Sequence, residues 1–151
     1  MSSQLGIGVP VPKFLPVTGT WTLPFVAYLS FLSHRVVFDR LNSKQWIGDR
    51  SSPGKDRDEL EVDSRAHANF LENVPLAFTL AAVAELNGAN RKYLNYAMAA
   101  LFALRLLHAE LGIKREESMG FGRPAGFWGT QGWLIGVAGY SAYLVKGYWG
   151  Y

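Results

Sequence analysis

The sequence predicts an all-α fold, an integral membrane four-helix bundle, from three observations. Ala125 to Val145 contains no charged residue, and the hydrocarbon core of a bilayer takes roughly twenty helical residues. Pro16 to His34 carries no formal charge while His34 is neutral, and Tyr93 to Leu104 is uncharged within an apolar run that reaches Ile113. The segment after Pro75 is apolar as well, and charged or Gly/Pro-rich stretches separate the four. Apolar segments of this length satisfy their backbone in lipid only as helices.

Composition narrows the class further. The chain has 151 residues and a net charge of +3, which fits one domain. It has no Cys, so a disulfide framework, a Cys-ligated metal and a cysteine nucleophile are excluded. Three scattered His residues without paired carboxylates give no metal-ligand spacing. Its Lys and Arg residues are dispersed singly, with no groove-reading helix or aromatic-basic strand pattern, so nucleic acid is not an expected partner.

Residues 1–17 read as a tail, because Gly6, Gly8, Pro10, Pro12 and Pro16 break any helix of spanning length. A signal peptide is not expected, since the basic start and unbroken apolar core are missing. Residues 18–146 form the four-helix domain. Helix 1 is predicted from about Thr18 to Leu41, with Thr18 or Thr20 as cap and Pro24 tolerated near its start. Residues 42–63 form a charged loop. Helix 2 is predicted from about Ser64 to Leu86, with Asp63 or Ser64 as cap, and Asn87-Gly88 closes it.

Helix 3 follows from about Asn90 to Leu111, antiparallel to helix 2, and Gly112 is a natural stop. A second charged loop, 113–124, leads to helix 4 from about Ala125 to Lys146, where Gly132 and Gly136 form a GxxxG helix-packing signal. Tyr140 and Tyr143 begin an aromatic belt that continues into the tail 147–151, which holds Tyr148, Trp149 and Tyr151. Arg40, Lys44, Arg50, Lys55 and Arg57 in one loop, with Lys114, Arg115 and Arg123 in the other, outnumber Lys13, Arg91, Lys92 and Lys146. The positive-inside rule therefore makes loops 42–63 and 113–124 cytoplasmic.

Polar residues enter these helices at one depth. Arg65, Asn69 and Glu72 stand at i, i+4 and i+7 and form one stripe on helix 2. Arg35 lies late in helix 1, Arg105 and His108 late in helix 3, and Arg123 before helix 4. Positive charge is in excess, and an uncompensated Arg in a membrane interior costs at least roughly 2.5–3.5 kcal/mol. Two readings compete: an anionic ligand at this cluster, or Arg65 or Arg105 paired with Glu72 while Arg35 and Arg123 snorkel to the headgroups. His67 points away from the stripe and reads as an interfacial or intersubunit polar group.

The run Arg65-Ala66-His67-Ala68-Asn69-Phe70-Leu71-Glu72-Asn73-Val74-Pro75 closely resembles the signature of the MAPEG family, membrane-associated proteins in eicosanoid and glutathione metabolism. Arg35 to Arg40, Ala84 to Ala89, Arg105-Leu106-Leu107-His108 and Arg123 extend the resemblance over roughly residues 20–145. It implies a homotrimer of twelve transmembrane helices, in the endoplasmic reticulum or another internal membrane, binding glutathione between neighbouring subunits. Arg35, Arg65, Asn69, Glu72, Arg105 and His108 would hold the cofactor glutathione, and Arg123 would stabilise its thiolate as the catalytic residue. Some family enzymes carry Tyr where this chain has Gly112 and Phe127, so hydroxyl donors are fewer here.

The expected function is thus a microsomal-type glutathione transferase or peroxidase acting on hydrophobic or lipid electrophiles, as in detoxification. The alternative is a non-enzymatic lipid-binding or scaffold protein of the same fold, which the missing tyrosines favour. A soluble helical bundle is a third possibility, opposed by the charge-free run from Ala125 to Val145.

Overall fold

The computed structural model describes residues 13–52, 54 and 57–150; residues 1–12 of the N-terminal tail and Tyr151 lie outside the described residues. Four long helices carry the chain: α1 (Pro16–Ser43), α2 (Glu59–Leu86), α3 (Arg91–His108) and α4 (Gly122–Val145). A π-helical turn, Ala109–Ile113, prolongs α3, and short 3-10 turns cover Glu116–Ser118 and Lys146–Trp149. No strand occurs among the described residues.

The helix starts differ from the sequence expectation in an informative way. α1 begins at Pro16, a residue preset for the first helical turn, and neither Thr18 nor Thr20 caps it. Glu85 of α2 does so instead: its carboxylate accepts from the Val17 and Thr18 backbone N–H groups, each at 2.8 Å, and from Thr18 Oγ1 at 2.7 Å. A buried acid against a helix N-terminus satisfies orphan donors and complements the dipole. Similarly, α2 begins at Glu59 rather than near Ser64, with Asp58 as its N-cap. Glu59, Glu61 and Asp63, which look like loop acids in the sequence, occupy the first turns, where negative charge is favoured.

Asn87 and Gly88, the latter at φ +86°, turn the chain, and Asn90 caps α3 by accepting from the Lys92 and Tyr93 N–H groups. Consecutive helices are not the closest partners throughout: α1 packs mainly on α2 and α3 mainly on α4, while α2 also lies against α4. Phe25 is the hub where α1, α2 and α3 meet, with ring centroids 4.9 Å from Phe78 and 5.0 Å from Phe102. On α2, Ala77, Ala81 and Ala84 are fully buried, and their small side chains let neighbouring backbones approach.

Helix α4 approaches α3 through Gly122, Gly126 and Gly129. A Cβ at Gly122 would lie 2.2 Å from the Leu107 carbonyl oxygen, and one at Gly126 would lie 2.4 Å from His108 Cβ. By contrast, Gly132 and Gly136, the expected packing pair, have open space around their Cβ positions. The packing glycines of this bundle lie two to three turns earlier, because the tight contact forms where the π turn brings α3 close.

A polar network closes the same end of the bundle. Arg35 pairs with Asp63 at 2.5 Å and with Glu110 at 2.8 Å, Tyr28 donates to Glu110 at 2.8 Å, and Lys114 reaches Asp63 at 3.3 Å. These contacts tie α1, α2 and the π turn together. His67 also turns inward to α1, its Nε2 lying 3.0 Å from Ser33 Oγ.

Replacing Glu85 by Ala leaves three donors at the start of α1 without their acceptor. Glu85→Ala is expected to destabilise the bundle by about 1–3 kcal/mol, and Glu85→Gln by less. Thermal unfolding in detergent measures both.

Candidate functional site

A cleft of about 840 Å³ opens beside the mouth of α2 and the start of α4. Arg65, Asn69 and Glu72 contribute the α2 wall, His108 the α3 wall and Arg123 the α4 wall. Arg65 and Arg123 thus line one cleft within the chain. Val62, Ala68, Ile113, Met119, Pro124 and Phe127 supply apolar surface.

The α2 stripe is in place because helix periodicity puts i, i+4 and i+7 on one face. Arg65 is exposed and faces Asp49 at 3.8 Å, a solvated contact of little energetic weight. Glu72 is exposed and makes no hydrogen bond or ion pair among the described residues. Asn69 Oδ1 accepts from Arg105 Nη1 at 2.9 Å. Since Arg is only a donor, that contact fixes the amide orientation and leaves Nδ2 as the donor Asn69 can offer to the cleft.

Two of the seven residues expected at the site do not line the cleft. Arg35 is absorbed by Asp63 and Glu110, two carboxylates that the helix-by-helix reading of polar residues left out. Arg105 is 3% exposed and sits behind the wall, where Nη2 donates to the Gly126 carbonyl at 2.7 Å. It makes no ion pair with a carboxylate among the described residues. Its effect on the cleft runs through Asn69.

Arg123 is exposed, and its Nη1 donates to the Ser118 carbonyl at 2.7 Å, again with no carboxylate partner among the described residues. Its backbone is held by the crossing of the π turn with α4. A Cβ at Gly112 would lie 2.6 Å from Arg123 N, so position 112 has no room for a tyrosine in this packing. His108 Nδ1 donates to the Arg123 carbonyl at 3.0 Å, which joins the two residues directly.

Arg57 and Asp58 also line the cleft, and sequence reasoning missed both. Arg57 donates to the Lys114 and Arg115 carbonyls at 2.9 and 2.8 Å, holding the loop that leads to Arg123. The overlooked signal was the acid run after Asp58, which marks the start of α2. Burial raises the Asp58 carboxyl, but donors from the Ser52 backbone, the Ser51 hydroxyl, and the Glu61 and Ser51 backbones outweigh it and hold the carboxyl below its usual range. Among the described residues no cluster of His, Asp or Glu could hold a metal ion.

The fold and the site define an all-helical protein whose polar cleft lies at one end of a largely apolar bundle. The MAPEG family model matches residues 18–143, and the chain belongs to that family of membrane-associated proteins, which includes enzymes of glutathione and eicosanoid metabolism and non-enzymatic members. No curated protein and no solved structure matches the chain.

A carboxylate held low contributes stability that is fully present above its unfolded value of about 3.9 and is lost as pH falls through the lower folded value. Asp58→Asn is accordingly expected to lower stability at neutral pH and to flatten the loss seen on acidification below about pH 4. Unfolding midpoints measured from pH 7 to pH 3 read this directly.

Proposed function

We propose that this chain is a multi-pass membrane enzyme that binds glutathione in the cleft and activates its thiol for attack on apolar electrophiles. The observation that carries this reading is the convergence of Arg65, Asn69, Glu72, His108 and Arg123 on one cleft. Around it Arg105 and Arg123 lack carboxylate partners and Glu72 lacks a cation, among the described residues. Unpaired among the described residues, Arg123 and Glu72, with Arg65 held only by the solvated contact to Asp49, offer two cations and one anion, which suits a ligand with two carboxylates and one ammonium group.

The residues fit such a tripeptide in kind as well as in charge. Glu72 is available for the ammonium, Arg65 and the Asn69 amide for carboxylate or peptide oxygens, and Arg123 for the sulfur, whose thiolate form a nearby cation favours. The volume lies within the range of small-molecule sites. Phe127, Pro124 and Met119 offer the second substrate an apolar side. The membrane domain in this reading is residues 18–146.

Helix dimensions and surface support several spans. The 28-residue α1 and α2 and the 24-residue α4 are about 42, 42 and 36 Å long, against a hydrocarbon core of about 30 Å. Leu23, Val26, Phe31, Phe38, Trp128 and Ile135 are exposed on α1 and α4, as lipid-facing or subunit-facing side chains would be. One helix among the described residues, Arg91–Ile113, is long and apolar enough to cross a membrane, with a mean hydropathy of 1.3. In α4, Gly, Gln, Ser and Tyr dilute the hydropathy of a charge-free segment. The trimer, the internal membrane and cytoplasmic loops 42–63 and 113–124 complete the proposal.

The scaffold reading draws on Gly112 and Phe127, where no hydroxyl stands. Calorimetry in detergent separates the two. Glutathione binding is expected, weakened at least about tenfold by Arg65→Ala and by Glu72→Ala; no heat with wild type, or unchanged binding in both variants, contradicts the reading. Arg123→Ala is expected to lower conjugation of a hydrophobic electrophile by about 100-fold or more with much less effect on binding.

A further inference from the structure

The contact between His108 and Arg123 carries information about protons. His108 Nδ1 lies 3.0 Å from the Arg123 carbonyl oxygen. A carbonyl only accepts, so Nδ1 must carry the hydrogen. Every change in the protonation of this ring is then confined to Nε2. No described residue bonds Nε2, and it is not among the buried polar atoms sealed from solvent. The residue is 5% exposed and lines the cleft, so its small open surface belongs to that cavity.

The surroundings set what Nε2 can do. Arg105 lies one turn earlier on α3, the Arg123 carbonyl meets the ring from α4 while the Arg123 guanidinium donates to the Ser118 carbonyl, and Arg65, Asn69 and Glu72 stand on the α2 wall. No carboxylate bonds the ring among the described residues, so there is no acid to hold a proton on it once one arrives. With Gly112 packed against the Arg123 backbone and Phe127 lacking a hydroxyl, neither position provides a phenol for proton transfer.

We propose that His108 is a catalytic acid–base group, its Nε2 taking the proton of the glutathione thiol and handing it on to the product. The proposal rests on the reading that glutathione occupies the cleft. His108 Nε2 accepts the proton as the S–H bond breaks, the bonding pair stays on sulfur, and the Arg123 guanidinium faces the charge. For an electrophile with a polarised carbon–carbon double bond, sulfur bonds to one carbon and the imidazolium returns its proton to the other. The net change is addition of S–H across the double bond, with no further reactant. The same carbonyl contact that fixes the tautomer also ties the ring to the backbone of Arg123, so both parts of thiol activation share one backbone anchor.

Two measurements test this. Nitrogen NMR of the ligand-free protein, labelled at His and solubilised in detergent, is expected to show His108 with a proton on Nδ1 and a bare Nε2; a proton on Nε2 with a bare Nδ1 overturns the proposal. In His108→Asn an amide N–H can still reach the Arg123 carbonyl but cannot act as a base. That variant is expected to bind glutathione within a few-fold of wild type while losing about 100-fold in turnover with an electrophilic double bond and changing its pH–rate profile. Normal binding with unchanged turnover and an unchanged pH–rate profile overturns this role alone. Absence of binding by wild-type protein overturns the proposed function and this role with it.

Discussion

The close crossing of α4 over the π-turned end of α3 is the constraint on which the cleft depends. Gly112, Gly122, Gly126 and Gly129 each lack a Cβ that would collide across the crossing. The crossing sets the Arg123 carbonyl against His108 and the Gly126 carbonyl against Arg105. Arg105 in turn fixes the Asn69 amide on α2. One backbone contact thus positions, directly or through Arg105, side chains from three helices. A π turn suits this place because its extra residue per turn changes the direction of the helix end, and such turns recur at functional sites.

The charges behind the cleft divide into spent and available ones. Arg35, Asp63, Glu110 and Lys114 neutralise one another and close the end of the bundle, with Tyr28 satisfying a remaining carboxylate lone pair. Asp58 is engaged by four donors of the loop and the first turn of α2. Glu72 and the Arg123 guanidinium remain without an ion-pair partner among the described residues, at the surface of the cleft. A polar network that is satisfied makes a rigid wall, and the unsatisfied groups on that wall are the ones a ligand can use.

Much of this was legible in the sequence, for reasons that also explain the misses. Arg65, Asn69 and Glu72 stood out because a period of 3.6 residues places them on one stripe, and they share the cleft wall. The turn at Asn87 to Asn90 was readable from its residue types, which act locally. Arg35 was harder, because its fate depends on Asp63 and Glu110, distant in sequence. The start of α2 was misplaced because acids in a first helical turn look like a solvated loop until Asp58 is recognised as the cap. The glycine spacing at 132 and 136 does not mark the close helix contact within the subunit; that contact falls at 122 and 126, where the π turn sets the geometry.

A structure of the protein determined with glutathione, in detergent or lipid, tests the central claim most directly. Density for the tripeptide is predicted in the cleft of each chain, with its ammonium end at Glu72 and its sulfur within hydrogen-bond reach of both Arg123 and His108. Density at another site, or sulfur turned away from Arg123 with His108 contacting only protein, would contradict it.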